Sequence, residues 1–427
     1  MSELASSIPS SSPQTRPSWL SRRLRAAVLD KLRELEGGRI DLVEADGAPV
    51  VLGGGAESGP PLSVSLRVHD PAFWWRLATS GSVGAAEAYM DGQWDCEDLV
   101  TLVRILLRNR SRLDALDSGS ARLRGWLLRA LHALRRNTRK GAERNIAAHY
   151  DLGNDFFRLF LDREYLMYSC AMFAQPGETL EAAQRRRLDA VCRKLELAPG
   201  DRVIEIGSGW GGFACYAAEH YGCHVTTTTI SRQQYEYCRR LIAERGLEGR
   251  VEVLFADYRE LEGRYDKLVS LEMIEAIGHQ YLPTYFAKVA ELLAPHGMAL
   301  IQAITIEERR YEQARRSVDF IKRYIFPGSF IPAVAPMMAA IARASDLKLF
   351  HLEDIGPSYA LTLREWHRRF LAAEEEVAAL GFDRRFRRMW RFYLAYCEGG
   401  FAERVLGDVQ MLLVKPGCRR SPLLSAA

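Results

Sequence analysis

Close cysteine pairs are missing from this sequence. Its eight cysteines stand singly, with no Cys-x-x-Cys and no cysteine–histidine cluster at zinc spacing. No metal site and no disulfide framework are therefore expected, and the thiols read as free in a reducing, cytoplasmic compartment. No run of about 18 apolar residues occurs, which argues against a membrane-spanning helix. Residues 1–18 are rich in Ser and Pro and lack the apolar centre of a signal peptide, so they read as a disordered tail. The net charge of +4 names no partner by itself. One stretch combines few acidic residues with many basic ones. Between Arg104 and Arg144, Arg108, Arg110, Arg112, Arg122, Arg124, Arg129, Arg135, Arg136, Arg139 and Lys140 face only Asp114, Asp117 and Glu143. Such a stretch is either a solvated helical face or a surface for an anionic partner. Nucleic acid is disfavoured, because Trp126 is the one aromatic residue there and no recognition motif accompanies it. Peripheral contact with anionic lipid on the inner face of a membrane fits better.

What is present is enough for two or three domains: 427 residues, 48% of them hydrophobic. Trp19 to Leu35 carries apolar residues at helical spacing (Leu20, Leu24, Val28, Leu32, Leu35). Strand-like stretches follow at 39–43, 50–52 and 62–68, then helical stretches at 73–79 and 82–90. Residues 19–110 thus read as a small α+β unit and 111–145 as an Arg-rich helical linker. From Leu180 onward, helices at 180–195, 212–220, 231–245 and 280–293 alternate with strands at 202–206, 223–229, 251–255, 266–271 and 297–304. The alternation predicts an α/β, doubly wound parallel sheet in a domain spanning 146–415, followed by a tail at 416–427. Ligands of such sheets bind beyond the carboxyl ends of the strands. Residues 305–345 interrupt the alternation with helical sequence carrying Tyr311, Phe320, Tyr324, Phe326 and Phe330. This insertion is expected either to roof that cleft or to add core.

Residues 203–212 read Val-Ile-Glu-Ile-Gly-Ser-Gly-Trp-Gly-Gly. A short apolar strand enters a glycine turn, and a helix follows. Gly207, Gly209 and Gly211 allow a tight turn and close approach to a ligand. A dinucleotide site would need an acidic residue about 20 residues on. The second strand instead ends in Thr-Thr-Thr-Thr-Ile-Ser, which argues against NAD. An acidic residue followed by Gly-x-Gly-x-Gly is the pattern of S-adenosylmethionine (SAM) methyltransferases.

Several segments together resemble the cyclopropane-fatty-acyl-phospholipid synthases and mycolic acid methyltransferases. They are 149–157 (His-Tyr-Asp-Leu-Gly-Asn-Asp-Phe-Phe), 168–173 (Tyr-Ser-Cys-Ala-Met-Phe), 206–212, 229–234, 257–259, 324–328 and the stretch from Tyr359 to Trp366. Tyr89-Met-Asp-Gly-x-Trp94 resembles the accessory domain of the phospholipid enzymes. The resemblance implies a class I SAM-dependent fold and methyl transfer to a cis double bond in a phospholipid acyl chain. A carbocation would follow, deprotonated by a bound bicarbonate to close a cyclopropane ring. A homodimer is possible.

By the same resemblance, Tyr168 and Ser169 lie against the methionine part of SAM, and Gly207 and Gly209 pass beneath it. Glu205 orders the turn. Thr229, Ile230 and Gln234 hold the ribose and adenosine side, and Asp257 and Tyr258 the adenine. The bicarbonate pocket takes the backbone of Cys170 and Ile304 and the side chains of Glu275 and Tyr359. Cys397 matches a family cysteine; a thiol beside a cation would be alkylated, so a packing role is expected ahead of a catalytic one. Two positions depart from the family, which has histidine where Ala276 and Gln302 stand. Glutamine can still donate to an anion but carries no charge. A displaced base would let the cation shift a hydride and give a methylene-branched chain instead. A small-molecule methyltransferase and a non-enzymatic lipid-binding protein are the remaining readings.

Overall fold

A computed structural model describes residues 19–45, 47–54, 62–114 and 152–423. The terminal tail 1–18, nearly all of the Arg-rich linker and the start of the 149–157 segment lie outside the described residues. Two sheets organise the rest. The first has the order β2-β1-β3-β4, from β1 (Gly38–Glu44), β2 (Val50–Gly53), β3 (Leu62–Val68) and β4 (Trp94–Cys96). β1 and β3 are parallel and the other pairs antiparallel. In β3 every second residue is buried, so one face meets the helices Trp19–Arg33, Ala72–Met90 and Leu99–Arg108 and the other meets solvent. The two helical stretches read from the sequence form one span broken at Gly81, which has φ 54° and ψ −137°.

The second sheet has seven strands in the order β10-β11-β9-β8-β5-β6-β7. They are β5 (Arg202–Ile206), β6 (His224–Thr229), β7 (Val251–Phe255), β8 (Tyr265–Leu271), β9 (Leu293–Ile306), β10 (Lys348–Asp354) and β11 (Leu406–Val414). Five strands match the reading from sequence. β10 and β11 do not, and they correct the expected all-parallel sheet: β11 runs antiparallel to both neighbours. Its buried run Val409–Val414 lies between two strands, which a long helical excursion separates from it in sequence. β5 follows directly from composition, since Val203, Ile204 and Ile206 are fully buried with helices on both faces.

The α+β unit is fastened to the catalytic unit through the helix Arg384–Ala402. Arg388 donates to the carbonyls of Tyr89 and Trp94, pairs with Asp95 at 2.7 Å and lies 3.8 Å from the Tyr89 ring centroid. Arg104 and Arg108 both reach Glu403, at 2.7 and 3.0 Å. No helix among the described residues is long and apolar enough to cross a membrane.

Candidate active site

The carboxyl ends of β5, β6, β8 and β9 open into one cavity of about 1640 Å³. At its floor, the N–H groups of Gly207 and Ser208 donate to the Thr228 carbonyl at 3.1 and 2.8 Å, folding the chain sharply off β5. Gly207 has φ 97°, and a Cβ there would meet Met273 at 3.0 Å, so a larger residue would be both strained and crowded. Gly207, Ser208, Gly209 and Trp210 line the cavity. Gly211 does not. It caps the helix Gly212–Tyr221 in a left-handed conformation, with Cys238 behind it, so its role is to shape the turn rather than to touch a cofactor.

Tyr168, Ser169, Thr229, Ile230, Gln234, Asp257 and Tyr258 all reach the same wall, as the sequence implied. Thr229 Oγ1 donates to Gln234 Oε1 at 2.8 Å and accepts from the Ser231 N–H, so the end of β6 and the next helix hold each other rigidly. One expected role needs correction, and two others gain detail. Glu205 does not bond the glycine turn; its buried carboxyl accepts from Thr227 Oγ1 at 2.6 Å on the neighbouring strand, and burial pushes its pKa up to about 8. The Asp257 carboxylate is held at both oxygens by Arg259, at 2.7 and 2.6 Å, which fixes its orientation on the cavity wall. Of the five aromatics singled out in 305–345, only Phe326 and Phe330 face the cavity. Tyr311 and Phe320 are buried in core, and Tyr324 donates to Glu87 of the α+β unit at 2.7 Å. The segment therefore does both jobs: it roofs the cleft and it packs.

The cofactor floor continues into an apolar, aromatic bore. Tyr168, Tyr359, Phe392, Tyr393 and Phe401 line it, with Cys397 among them. The Tyr359 ring stacks on Phe401 at 4.3 Å, and the Tyr168 and Tyr393 hydroxyls meet at 3.0 Å. Burial drives the Cys397 thiol far above its usual range. It is protonated at neutral pH, as a packing role requires. The bore runs on into the α+β unit, where Leu24, Leu32, Leu102 and Leu106 continue its wall.

The group that sequence reasoning missed sits where cofactor floor and bore meet. Glu272 follows β8 directly and has φ 53°. For a residue with a Cβ, that conformation costs about 1–2 kcal/mol and is found mostly at sites that need it. It aims the carboxylate back into the cluster expected to hold bicarbonate. Glu272 Oε1 accepts from the Cys170 N–H at 2.8 Å and from Gln302 Nε2 at 2.7 Å, and Oε2 accepts from the Tyr359 hydroxyl at 2.6 Å. The fourth expected donor, the Ile304 N–H, goes to Glu275 Oε1 at 2.6 Å. Every donor assigned to the anion is thus already held by a carboxylate of the chain. Glu275 Oε2 is buried with no hydrogen-bond partner among the described residues. The signal was present in the sequence as a second acidic residue three positions before Glu275.

A third carboxyl, Asp408 on β11, shares Gln302 Nε2 with Glu272, at 2.8 Å. Burial raises the proton affinity of Glu272, Glu275 and Asp408 alike, with Glu275 pushed up to about 8. The donors decide between them. Glu272 has three, and the fully buried Arg187 adds its charge from behind Ser169, whose hydroxyl it holds at 2.9 Å. Asp408 accepts from Gln302, but it also faces the Glu272 carboxylate and the Cys170 thiol, and its Oδ1 has no hydrogen-bond partner among the described residues. Glu272 is therefore the ionised member and Asp408 the protonated one.

A glycine turn below, a wall carrying polar residues and an aromatic bore ending on carboxylates suit SAM and an apolar acceptor. The family model described as mycolic acid cyclopropane synthetase matches residues 137–411. The tuberculostearic acid methyltransferase UfaA1 of Mycobacterium tuberculosis is 38% identical over 369 residues, covering 84% of each chain. The cyclopropane-fatty-acyl-phospholipid synthase of Escherichia coli K12 is 38% identical over 354 residues, covering 81% of this chain and 86% of that one. Among solved structures, the cyclopropane synthase MmaA2 of M. tuberculosis superposes with a TM-score of 0.60 at 29% identity, over 64% of this chain and 98% of that one. The mycolic acid cyclopropane synthase CmaA1, complexed with SAH and CTAB, gives 0.59 at 29% identity, with the same coverage. The chain belongs to the mycolic acid cyclopropane synthetase family: it is a SAM-dependent methyltransferase that acts on lipids.

Proposed function

We propose that this enzyme methylates the cis double bond of an unsaturated phospholipid acyl chain, and that Glu272 takes the proton for which the resemblance invokes a bicarbonate. The observation that carries the reading is that the Cys170 N–H, Gln302 and Tyr359 all donate to Glu272. Those residues do not fit a free bicarbonate, because its donors are spoken for. Those on the glycine floor do fit SAM, which supplies an electrophilic methyl group when bound.

An alkene is a neutral, weak nucleophile, so the chain's residues must align it and keep water out. The apolar bore does the first and the aromatic roof the second. Methyl transfer leaves a cation on the neighbouring carbon. The faces of Tyr168, Tyr359 and Phe401 stabilise it through their quadrupoles. Two fates then compete. Loss of a proton from the new methyl closes a three-membered ring. A 1,2-hydride shift gives a more stable tertiary cation, and proton loss from the methyl then leaves a methylene (=CH₂) branch on the chain. Glu272 is tethered and already accepts three hydrogen bonds, which lowers its basicity and slows removal of a methyl proton. Slow deprotonation favours the shift, so the product is a methylene-branched chain. A saturated methyl branch would need a separate reductant.

The test is proton NMR of lipids after incubation with SAM and vesicles of cis-unsaturated phospholipid. Vinyl signals of a =CH₂ branch are expected. High-field cyclopropane protons alone would overturn the product assignment and leave methyl transfer standing. No S-adenosylhomocysteine and no altered lipid would overturn both.

A further inference from the structure

Glu353 on β10 pairs in register with Gln410 on β11, and Gln410 with Gln302 on β9. Directly opposed residues share a face of the sheet. The three side chains therefore form a polar row through the apolar interior, ending at Glu272. Lys194, the last residue of the helix Leu180–Lys194, closes the far end. Its Nζ donates to Gln410 Oε1 at 2.6 Å and to Glu353. Gln410 Nε2 donates to Gln302 Oε1 at 3.1 Å, and Gln302 Nε2 to Glu272 and Asp408. Gln302 and Gln410 are fully buried and Lys194 nearly so.

The chemistry fixes every orientation in turn. An ammonium only donates, so the oxygen of Gln410 must face Lys194. Its NH₂ then faces Gln302, whose oxygen must turn to meet it. The NH₂ of Gln302 is left pointing at Glu272. Building on the reading of Glu272 as proton acceptor, we propose that Lys194 and Gln410 are positioning residues for the reaction. Acting through two amides, they direct the Gln302 NH₂ onto Glu272 and so keep that carboxylate ionised.

Without the ammonium, Glu353 draws the NH₂ of Gln410, both amides turn over, and the oxygen of Gln302 faces Glu272 and Asp408. Acceptor against acceptor is relieved by protonation, so Glu272 binds its proton more tightly. The other groups facing Glu272 stay in place: Asp408 on β11, Glu275 on the turn after β8, Arg187 on its helix, the Tyr359 hydroxyl and the Cys170 N–H and thiol.

The full-length protein is tested as Lys194→Met, Lys194→Arg and Gln410→Glu. The last keeps volume and an ion pair with Lys194 yet presents only acceptors to Gln302. Two readouts are followed against pH. One is the infrared carboxyl band of Glu272 in the ligand-free protein, identified by its loss in Glu272→Gln. The other is S-adenosylhomocysteine release with vesicles of cis-unsaturated phosphatidylglycerol. Lys194→Met and Gln410→Glu should move the Glu272 midpoint and the acid limb of the rate upward by about one pH unit, and Lys194→Arg should keep the parent values. An unmoved infrared midpoint in folded Gln410→Glu overturns the inference, even if Lys194→Met fails to fold. If Glu272→Gln turns over like the parent, the proton-acceptor reading falls, and the infrared midpoint alone decides the orientation.

Discussion

Glu272→Gln removes a base while leaving its surroundings almost intact. The glutamine oxygen can accept from the Cys170 N–H and Gln302, as Glu272 Oε1 does. Its NH₂ can donate to the Tyr359 oxygen, because a hydroxyl hydrogen rotates away at little cost. The fold is then changed by no more than about 1–2 kcal/mol, since lost charge-assisted bonds are offset by no longer burying a charge. Proton removal loses its acceptor. General-base catalysis contributes about 10²- to 10⁴-fold, so kcat should fall by that factor. SAM affinity should stay within about twofold, because Glu272 lies beyond the glycine floor. The assay pairs S-adenosylhomocysteine release on cis-unsaturated vesicles with calorimetric SAM binding. A variant that folds, binds SAM and turns over within about threefold of the parent would refute the assignment. Glu272→Gly sharpens the experiment. It relieves the φ of 53° and leaves three donors around a void the size of a small anion. Its turnover should become dependent on added bicarbonate.

Other outcomes follow from the same structure. Burial raises the folded-state pKa of Glu205 to about 8, so the native state binds more protons than the unfolded chain between roughly pH 4.5 and 8. Stability from this group is full below the lower limit and lost as pH rises to the upper one. Glu205→Gln, which keeps an acceptor for Thr227, should flatten the fall in melting temperature over that window; an identical pH dependence would count against it. Arg388→Ala strips donors from the Tyr89 and Trp94 carbonyls and a cation from Asp95. It should cost about 2–4 kcal/mol, read as a lower melting temperature with SAM affinity retained. The Arg-rich stretch read from the sequence further predicts binding to anionic vesicles that weakens as salt rises; salt-independent binding in a sedimentation assay would exclude that.

Local patterns were legible without coordinates. The strand-turn-helix at 203–212, the alternation through β9 and the residues of the cofactor wall all rest on short-range regularities: spacing of apolar residues, glycines at a turn, motif order. The break at Gly81 falls between the two helical stretches read at 73–79 and 82–90. β10 and β11 were hidden because a strand is stabilised by its neighbours, and these neighbours are remote in sequence. Which aromatics of 305–345 face the cavity is likewise a matter of packing, since helical spacing alone gives both faces.

The candidate site divides along the same line. By itself the sequence determined the cofactor class and, through ordered motifs, the family, for these are carried by residue type at fixed spacing. Only the tertiary structure decided what those donors hold. Glu272 reads as one more acidic residue after a strand until its left-handed backbone turns the carboxylate onto Cys170, Gln302 and Tyr359, which come from three other elements. The row from Lys194 to Gln302 exists because the register of three strands and the end of one helix place four polar side chains side by side in an apolar interior. Hydrogen-bond direction is a property of such closed networks, and the order of residues along a chain does not encode it.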